Sequence, residues 1–524
     1  MLTRMMAEGQ SQRALEMLLD LLFRVLDDNA RLVLRGMQAQ RADGRKSERI
    51  TEEQLNLLLK LMPPEPAVPS EPEPEASDDK EPEKKPPRPP RSGEPPPGLP
   101  KRHKTILVPP EERCCEHCAK EKTKQFFETR WRLNYEPAHL VVEETRFEKL
   151  SCTACKADTV TAPAEPQLIA GGRPGTPLLA EVMVGKYARH APLTRQTAHF
   201  GEMGYAIPTS TLCDWVASTV VAVEPLYQRI ILRVFGSKVL HIDGTGLRVL
   251  DRSHPDHIRK GAMWCYVGRE LRLVFFKFIS DADTDGPAAM LKNRVGYVVA
   301  DADLQLNALF GRPDATAIEA GCNMHARRYY AKALDAGDLR AAIAIKLYKQ
   351  LYKVEKAAKV ACLGPDAIRA LRQQKSKPLM EELGRWARDS FVLEDPRSPM
   401  GKAWGYTIRQ WTALNRYLED GMLPIDNGAA ERALRALALG RLNYLFAGSD
   451  AGAHRAAVAY SLMASCRLHH VDVGQYWRDI LDKLAHNWPH SRLDELIPDV
   501  WAREHPEHVH PHKDQLPQTE FSTG

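Results

Sequence analysis

Between residues 238 and 303, strand-forming runs follow one another with little spare chain. They read "KVLHIDGTGLRVL", "GAMWCYVGREL" and "RLVFFKFI", then a helix at 286–292 and a further strand, "VGYVVADAD". The runs are rich in β-branched and aromatic residues, the composition of buried strands. Two of them carry an acid to an edge of the sheet. Asp243 sits near the end of the apolar run "VLHID", and Asp301 ends "YVVAD".

Three strands, a helix and a strand form the opening of a ribonuclease H-like α/β core. The first and fourth strands of that fold are neighbours, which makes Asp243 and Asp301 adjacent. A carboxylate from a later helix completes such a pocket. "LPIDNGAAERALRAL" (423–437) offers one. Gly428 caps a helix there and puts Glu431 in its first turn, where a negative charge suits the dipole. Read alone, Glu431 is a surface residue paired with Arg435 four positions on, and Asp426 is a rival ligand. With the two upstream acids, Glu431 becomes the third ligand, Arg435 its support and Asp426 a residue of the helix start. Hard oxygen ligands of this kind suit Mg²⁺ or Mn²⁺. Two such ions about 4 Å apart activate a hydroxyl and stabilise the leaving oxygen in attack on a phosphodiester. Asp303, two residues after Asp301, competes with it.

The chain reads as a multidomain α+β protein of 524 residues. Residues 1–62 are helical. Leu15, Leu22 and Asn29 share one heptad position, and Leu18, Val25 and Leu32 the other. That pattern fits a parallel coiled coil or a helix packed on its own protein. A second helix is expected at 51–62. Residues 63–110 form a disordered linker, with 15 prolines in 63–100. Residues 111–165 hold Cys115-x-x-Cys118 and Cys152-x-x-Cys155, separated by 33 residues rich in strand formers. This spacing points to a zinc-ribbon-like module with a closed, structural Zn²⁺ site.

Residues 166–225 have the shape of a helix-turn-helix. One helix starts at Pro192 and carries Arg195, a turn covers 204–207, and Pro208–Ser210 opens the next. Thr209, Ser210 and Thr211 then stand at a helix start, where DNA contacts are made. The alternative is a generic three-helix packing unit. Residues 226–315 are the first part of the core, 316–420 an all-helical insertion and 421–500 the second part. Residues 501–524, with "HPEHVHPH", read as a flexible tail.

The net charge of +5 gives no global case for nucleic acid, but residues 326–378 carry 13 Lys and Arg against four acids. That stretch suits a polyanion or a solvated helical face. Within "GCNMHARRYY", Cys322 and His325 suggest a fold-stabilising contact rather than zinc, and Arg327 and Arg328 suit a DNA backbone. No stretch reaches 18 apolar residues, so no membrane span is expected. The start has no signal-peptide core.

"HIDGTGLRVL", "YVVADADLQLNALF", "GCNMHARRYY" and the run 424–472 resemble, in order and spacing, the DDE transposases of the bacterial insertion-sequence sixty-six family. The resemblance runs from about residue 10 to about 500 and is weakest across 63–110. It implies a triad of Asp243, Asp301 and Glu431 holding Mg²⁺ or Mn²⁺. It also implies cleavage of double-stranded DNA at terminal inverted repeats, followed by strand transfer into target DNA. Arg432, Arg435 and Arg441 follow the acid and suit phosphate oxygens. Small accessory proteins, a homodimer or larger assembly, and a cytoplasmic, nucleoid-associated location are further implications. Two departures stand out. The family carries Gly-Tyr after the second acid, whereas this chain has Ala302-Asp303, and Gly244 separates Asp243 from Thr245. Asn307 keeps the family spacing after Asp301. The rival readings are a catalytically inactive DNA-binding protein of transposase origin and a ribonuclease H-like nuclease.

Overall fold

The structure is a computed structural model. It describes residues 166–510 apart from 173, 281–285 and 312–314, together with 52–60, 140–142, 149–151, 159–161 and three single upstream positions. The coiled-coil stretch apart from those positions, the linker and Cys115, Cys118, Cys152 and Cys155 lie outside the described residues. The elements below belong to one compact unit that includes 145–511 and the upstream helix α1 (Glu52–Lys60). Two short antiparallel strands, β1 (Lys149–Ser151) and β2 (Thr159–Thr161), bracket the Cys152/Cys155 segment. Helices α2 (Thr176–Tyr187), α3 (Leu193–Glu202) and α4 (Thr209–Phe235) follow.

The helix opened by Pro208 differs from a short recognition helix. It runs 27 residues and buries Val220, Val223, Leu226, Tyr227, Ile230 and Val234. The Tyr227 hydroxyl donates to the Phe276 carbonyl of the sheet at 2.7 Å. This segment is therefore built into the same unit as the sheet.

The sheet has five strands: β3 (Val239–Leu250), β4 (Ile258–Gly268), β5 (Leu273–Ser280), β6 (Gly296–Ala300) and β7 (Ala317–Gly321). Their spatial order is β5-β4-β3-β6-β7. The first three pair antiparallel; β6 and β7 run parallel to β3. Two expectations need correction. The region 316–420 is not wholly helical, because β7 lies inside it. Asp243 does not end its strand, since β3 continues seven residues further, to Leu250. What ends near Asp243 is the parallel ladder to β6, whose last register pair is His241 with Val299.

After β7 the chain enters four long helices, α5 (Asn323–Asp335), α6 (Ala341–Val360), α7 (Lys377–Phe391) and α8 (Pro399–Arg409). Tyr330, Tyr348, Leu351, Met380, Leu383 and Trp404 fill a core between them. Leu55 and Leu58 of α1 are buried in this same core. The upstream helix is thus a fifth wall of the insertion. Ser398 starts α8 by accepting the Gly401 amide at 2.8 Å.

Returning from the insertion, the chain forms α9 (Gly428–Tyr444), α10 (Asp450–Leu468) and α11 (Val473–Ala485). Helix α10 covers the edge strand β5. Ser461 Oγ accepts the Phe276 amide at 2.8 Å, and Ser465 Oγ both accepts from and donates to Val274 at 3.1 Å. Two serines on one helix face thereby satisfy backbone groups that an edge would leave open. Residues 501–510 are folded rather than a loose tail. Val509 bridges Val471, and the His505 and His508 rings lie against Trp501. Residues 511–524 lie outside the description.

Candidate active site

Strand pairing sets the first two acids. The parallel ladder ends at His241–Val299, and Asp243 and Asp301 each follow two residues later, so the two acids leave it side by side. Period-two alternation puts both side chains on the face shared by His241 and Val299. The Gly244 amide donates to Asp243 Oδ1 at 2.8 Å. Gly244 is needed here because a Cβ would come within 2.9 Å of the Trp264 ring on the paired strand. After Asp301 the chain turns at Ala302 with φ 64°, the left-handed region that favours glycine. Asp303 accepts the Gln305 amide at 2.9 Å and so starts the next short turn.

Side-chain clamps set the third acid. Glu431 is in the first turn of α9, behind the fully buried Asn427. Asn427 Nδ2 donates to the Ile242 carbonyl at 2.7 Å, and its Oδ1 lies 3.0 Å from His241 Nδ1. Its amide donates to Cys322 Sγ at 3.2 Å. One side chain thus ties the start of α9 to the strand that carries Asp243. Asn323 Nδ2 donates to the carbonyls of Leu414 and Ile425, at 3.0 and 3.2 Å. Asp426 accepts the Gly428 amide and the Tyr352 hydroxyl, a helix-start residue rather than a ligand. Further back, buried Arg372 donates to the carbonyls of Tyr417, Asp420 and Leu423 while paired with Glu355.

His325, from the first turn of α5, stands between two of the acids. Its Nε2 lies 3.5 Å from Asp301 Oδ2 and its Nδ1 3.6 Å from Glu431 Oε1. The sequence signal for His325 was its place in "CNMH", but its carboxylate neighbours are 24 and 106 positions away. Arg328 donates to Glu431 Oε2 at 2.8 Å. The ion pair of Glu431 is therefore with Arg328 across the site and not with Arg435.

Burial pushes the Asp243 carboxyl up to about 7, and the charges of Asp301 and Glu431 push the same way. Burial holds His241 down at about 4 and drives the Cys322 thiol up to about 12. Burial also lowers His325, against the pull of Asp301.

Three mutually repelling carboxylates in a half-buried pocket are the donor set of a hard divalent cation. His325 Nδ1 and Glu431 Oε1 are buried, face each other and have no hydrogen-bond partner. The donors fit such an ion. Among the described residues, the donor atoms that lie within 4.8 Å of one another are instead those of Cys322, His325 and Glu431. There the thiol's raised pKa and its bond from the Asn427 amide favour a structural role.

The remaining candidates are dispersed. Arg195 donates to Asn443 Oδ1 at 3.2 Å, and Arg441 donates to the Gly246 carbonyl, so both brace α9. Thr209 pairs with Thr197 at 3.1 Å, Ser210 is exposed, and Thr211 and Arg327 are half-buried. Arg432 and Arg435 are exposed on α9.

Residues 171–455 match the family model described as Transposase IS66 family, and 461–498 match that of the IS66 C-terminal element. The chain belongs to the IS66 transposase family. Three relatives come from Sinorhizobium fredii (strain NBRC 101917 / NGR234). Uncharacterized protein y4hP is 31% identical over 426 residues, covering 77% of this chain and 76% of that protein. Uncharacterized protein y4jD is 26% identical, covering 76% and 80%, and uncharacterized protein y4qI is 28% identical, covering 70% of each. No solved structure matches the chain. IS66 membership implies a transposase. No helix among the described residues is long and apolar enough to cross a membrane.

Proposed function

We propose that this protein binds the terminal inverted repeats of its element and catalyses metal-dependent cleavage and strand transfer with Asp243, Asp301 and Glu431. The observation that carries this reading is the convergence of three acids from positions 243, 301 and 431: His325 lies 3.5 Å from Asp301 and 3.6 Å from Glu431, and the charges of both acids add to the burial that raises Asp243. The order β5-β4-β3-β6-β7, with only the first three strands antiparallel, supports a ribonuclease H-like core. Asp243, Asp301 and Glu431 would hold a divalent cation, which would supply water activation and stabilisation of the leaving oxygen. Water attacks phosphorus and the P–O3′ bond breaks, leaving a 5′-phosphate and a 3′-hydroxyl; that hydroxyl then gives up its proton and forms a new bond to a target phosphorus, as the target strand's own 3′ oxygen leaves and takes up a proton.

The protein's own groups do the positioning. Asn427 fixes Glu431 against β3, His325 separates Asp301 from Glu431, and Arg328 offsets negative charge before DNA arrives. Oxygen donors from three acids favour Mg²⁺ or Mn²⁺ over softer ions. The proposal extends to a structural Zn²⁺ at Cys115, Cys118, Cys152 and Cys155, which metal analysis of the purified protein tests. It extends also to DNA contacts by Arg195, Thr209, Ser210, Thr211, Arg327, Arg432 and Arg435, to self-association, and to accessory proteins. The direct experiment is Mg²⁺-dependent nicking of a labelled duplex that carries the DNA end flanking the gene. Wild type should cut at the end and Glu431→Gln should not. Equal cutting by the variant overturns the assignment.

A further inference from the structure

The exposed side of α9 carries an unusual stripe. Arg432, Arg435, Leu439 and Leu442 recur at steps of three, four and three, which places them along one helical face, and Phe446 follows just past the helix end, where Leu445 turns the chain at φ 60°. Leu439 is 48% exposed, Leu442 76%, Phe446 36% and the neighbouring Leu445 65%. Exposed Leu439 and Leu442 on one helical face, with Leu445 and Phe446 exposed just past the helix end, mark an interaction surface. The charge of the segment narrows the partner. Arg432 and Arg435 are exposed and no acid occurs in residues 432–449, so the face complements a polyanion. The stripe also begins one residue after Glu431.

We propose that this face receives the DNA end being processed. Arg432 and Arg435 bind phosphates beside the scissile bond, and the leucines and Phe446 pack against bases unstacked from the duplex end. The inference rests on the reading of the carboxylate site as a DNA-cleaving centre. Helix rise places Leu439 about 12 Å and Leu442 about 16 Å along the axis from Glu431. A duplex strand advances about 3.4 Å per nucleotide, so these side chains lie roughly four to five nucleotides from a phosphodiester at the acids. Apolar wedges at that distance act by separating base steps, as in other DNA-distorting proteins. A ligand with both phosphate and exposed base faces matches both halves of the stripe.

The test uses the full-length protein in EDTA, which separates binding from cleavage. Two fluorescein-labelled 30-base-pair duplexes of one sequence serve as probes, one blunt and one with five unpaired bases at an end. Wild type should bind the splayed end about tenfold more tightly, a difference of about 1.4 kcal/mol. Leu439→Ala/Leu442→Ala should lose that preference and keep its affinity for blunt DNA. Arg432→Ala/Arg435→Ala should weaken both probes and flatten the salt dependence by about two units of slope. A wild type that does not discriminate overturns the proposal. So does a leucine variant that keeps the preference but sediments as a smaller species, since a second copy of the chain would then cover this face. Loss of Mg²⁺-dependent cutting with the splayed-end preference intact would instead count against the catalytic reading alone.

Discussion

The two halves of the acid site are held in different ways. Asp243 and Asp301 are placed by a backbone ladder, because the register of β3 and β6 carries them side by side. Glu431 is placed by side chains: Asn427 onto β3, Asn323 onto 414 and 425, and Arg372 onto 417–423. A ladder survives most substitutions of the side chains along it. A clamp does not, since each buried amide or guanidinium that is lost strands its partners. Geometry at Glu431 should therefore be far more sensitive to mutation than geometry at the two aspartates.

The largest expected effect erases both halves alike. Asp243→Asn, Asp301→Asn and Glu431→Gln should each lower the rate of end cleavage on the order of 10³-fold or more, measured under single-turnover conditions with Mg²⁺. Asn427→Ala probes the clamp alone. It should lower stability by about 2–4 kcal/mol, because several buried groups lose a partner. It should also slow cleavage under conditions where the variant is still fully folded. Urea denaturation and nicking on the same sample give both numbers, and unchanged cleavage in folded Asn427→Ala would remove the clamp from the argument.

A pH experiment sharpens the ladder half. The folded Asp243 titrates at about 7, above its ordinary 3.8. The metal-free fold then holds a proton that the unfolded chain has released. This stabilisation is whole below about pH 4 and lost as pH rises through 7. His241, lowered from 6.5 to about 4, has the opposite sign: its contribution is present above about pH 6.5 and lost as pH falls toward 4. The difference between wild type and Asp243→Asn isolates the carboxylate. In EDTA, Asp243→Asn should be the more stable protein at pH 8, by about 1–3 kcal/mol, with the gap closing toward pH 5. Thermal unfolding across that range reads it.

The smallest effect concerns the turn between the halves. Ala302→Gly should relieve a left-handed alanine and raise stability by no more than about 1 kcal/mol. A loss of stability would mean that the Ala302 methyl packs usefully enough to outweigh its backbone strain.

The succession of four strands and the places of the two aspartates on them were legible in sequence because β-branched and aromatic runs are local signals, whereas the adjacency of the first and fourth strands came from the fold those runs open. Helix α9 and the first-turn position of Glu431 were legible for the same reason. Strand β7 was missed: "AIEAG" is five residues long, with a single β-branched residue and a glutamate in the middle. The Glu431–Arg328 pair was missed because 103 positions separate its members, while Arg435 sat at a plausible helical spacing. His325 was legible as a chemical group and not as a neighbour of the acids. In each case the missing information was tertiary, carried by contacts across the insertion.

One of those contacts, from Asn323 to Leu414 and Ile425, has a consequence for how such a chain can change over generations. Residues 323 and 425 are a hundred positions apart and yet bonded, so the insertion leaves and rejoins the core at one point. Natural variation can reshape the parts of the insertion that lie away from Tyr352 and Arg372 without displacing Glu431. What must be conserved is the small set of groups, Asn323, Tyr352 and Arg372, that touch 414–426. The insertion is thus a fixed frame with a variable outside, and that surface is free to diversify toward new DNA or protein partners while the chemistry stays fixed.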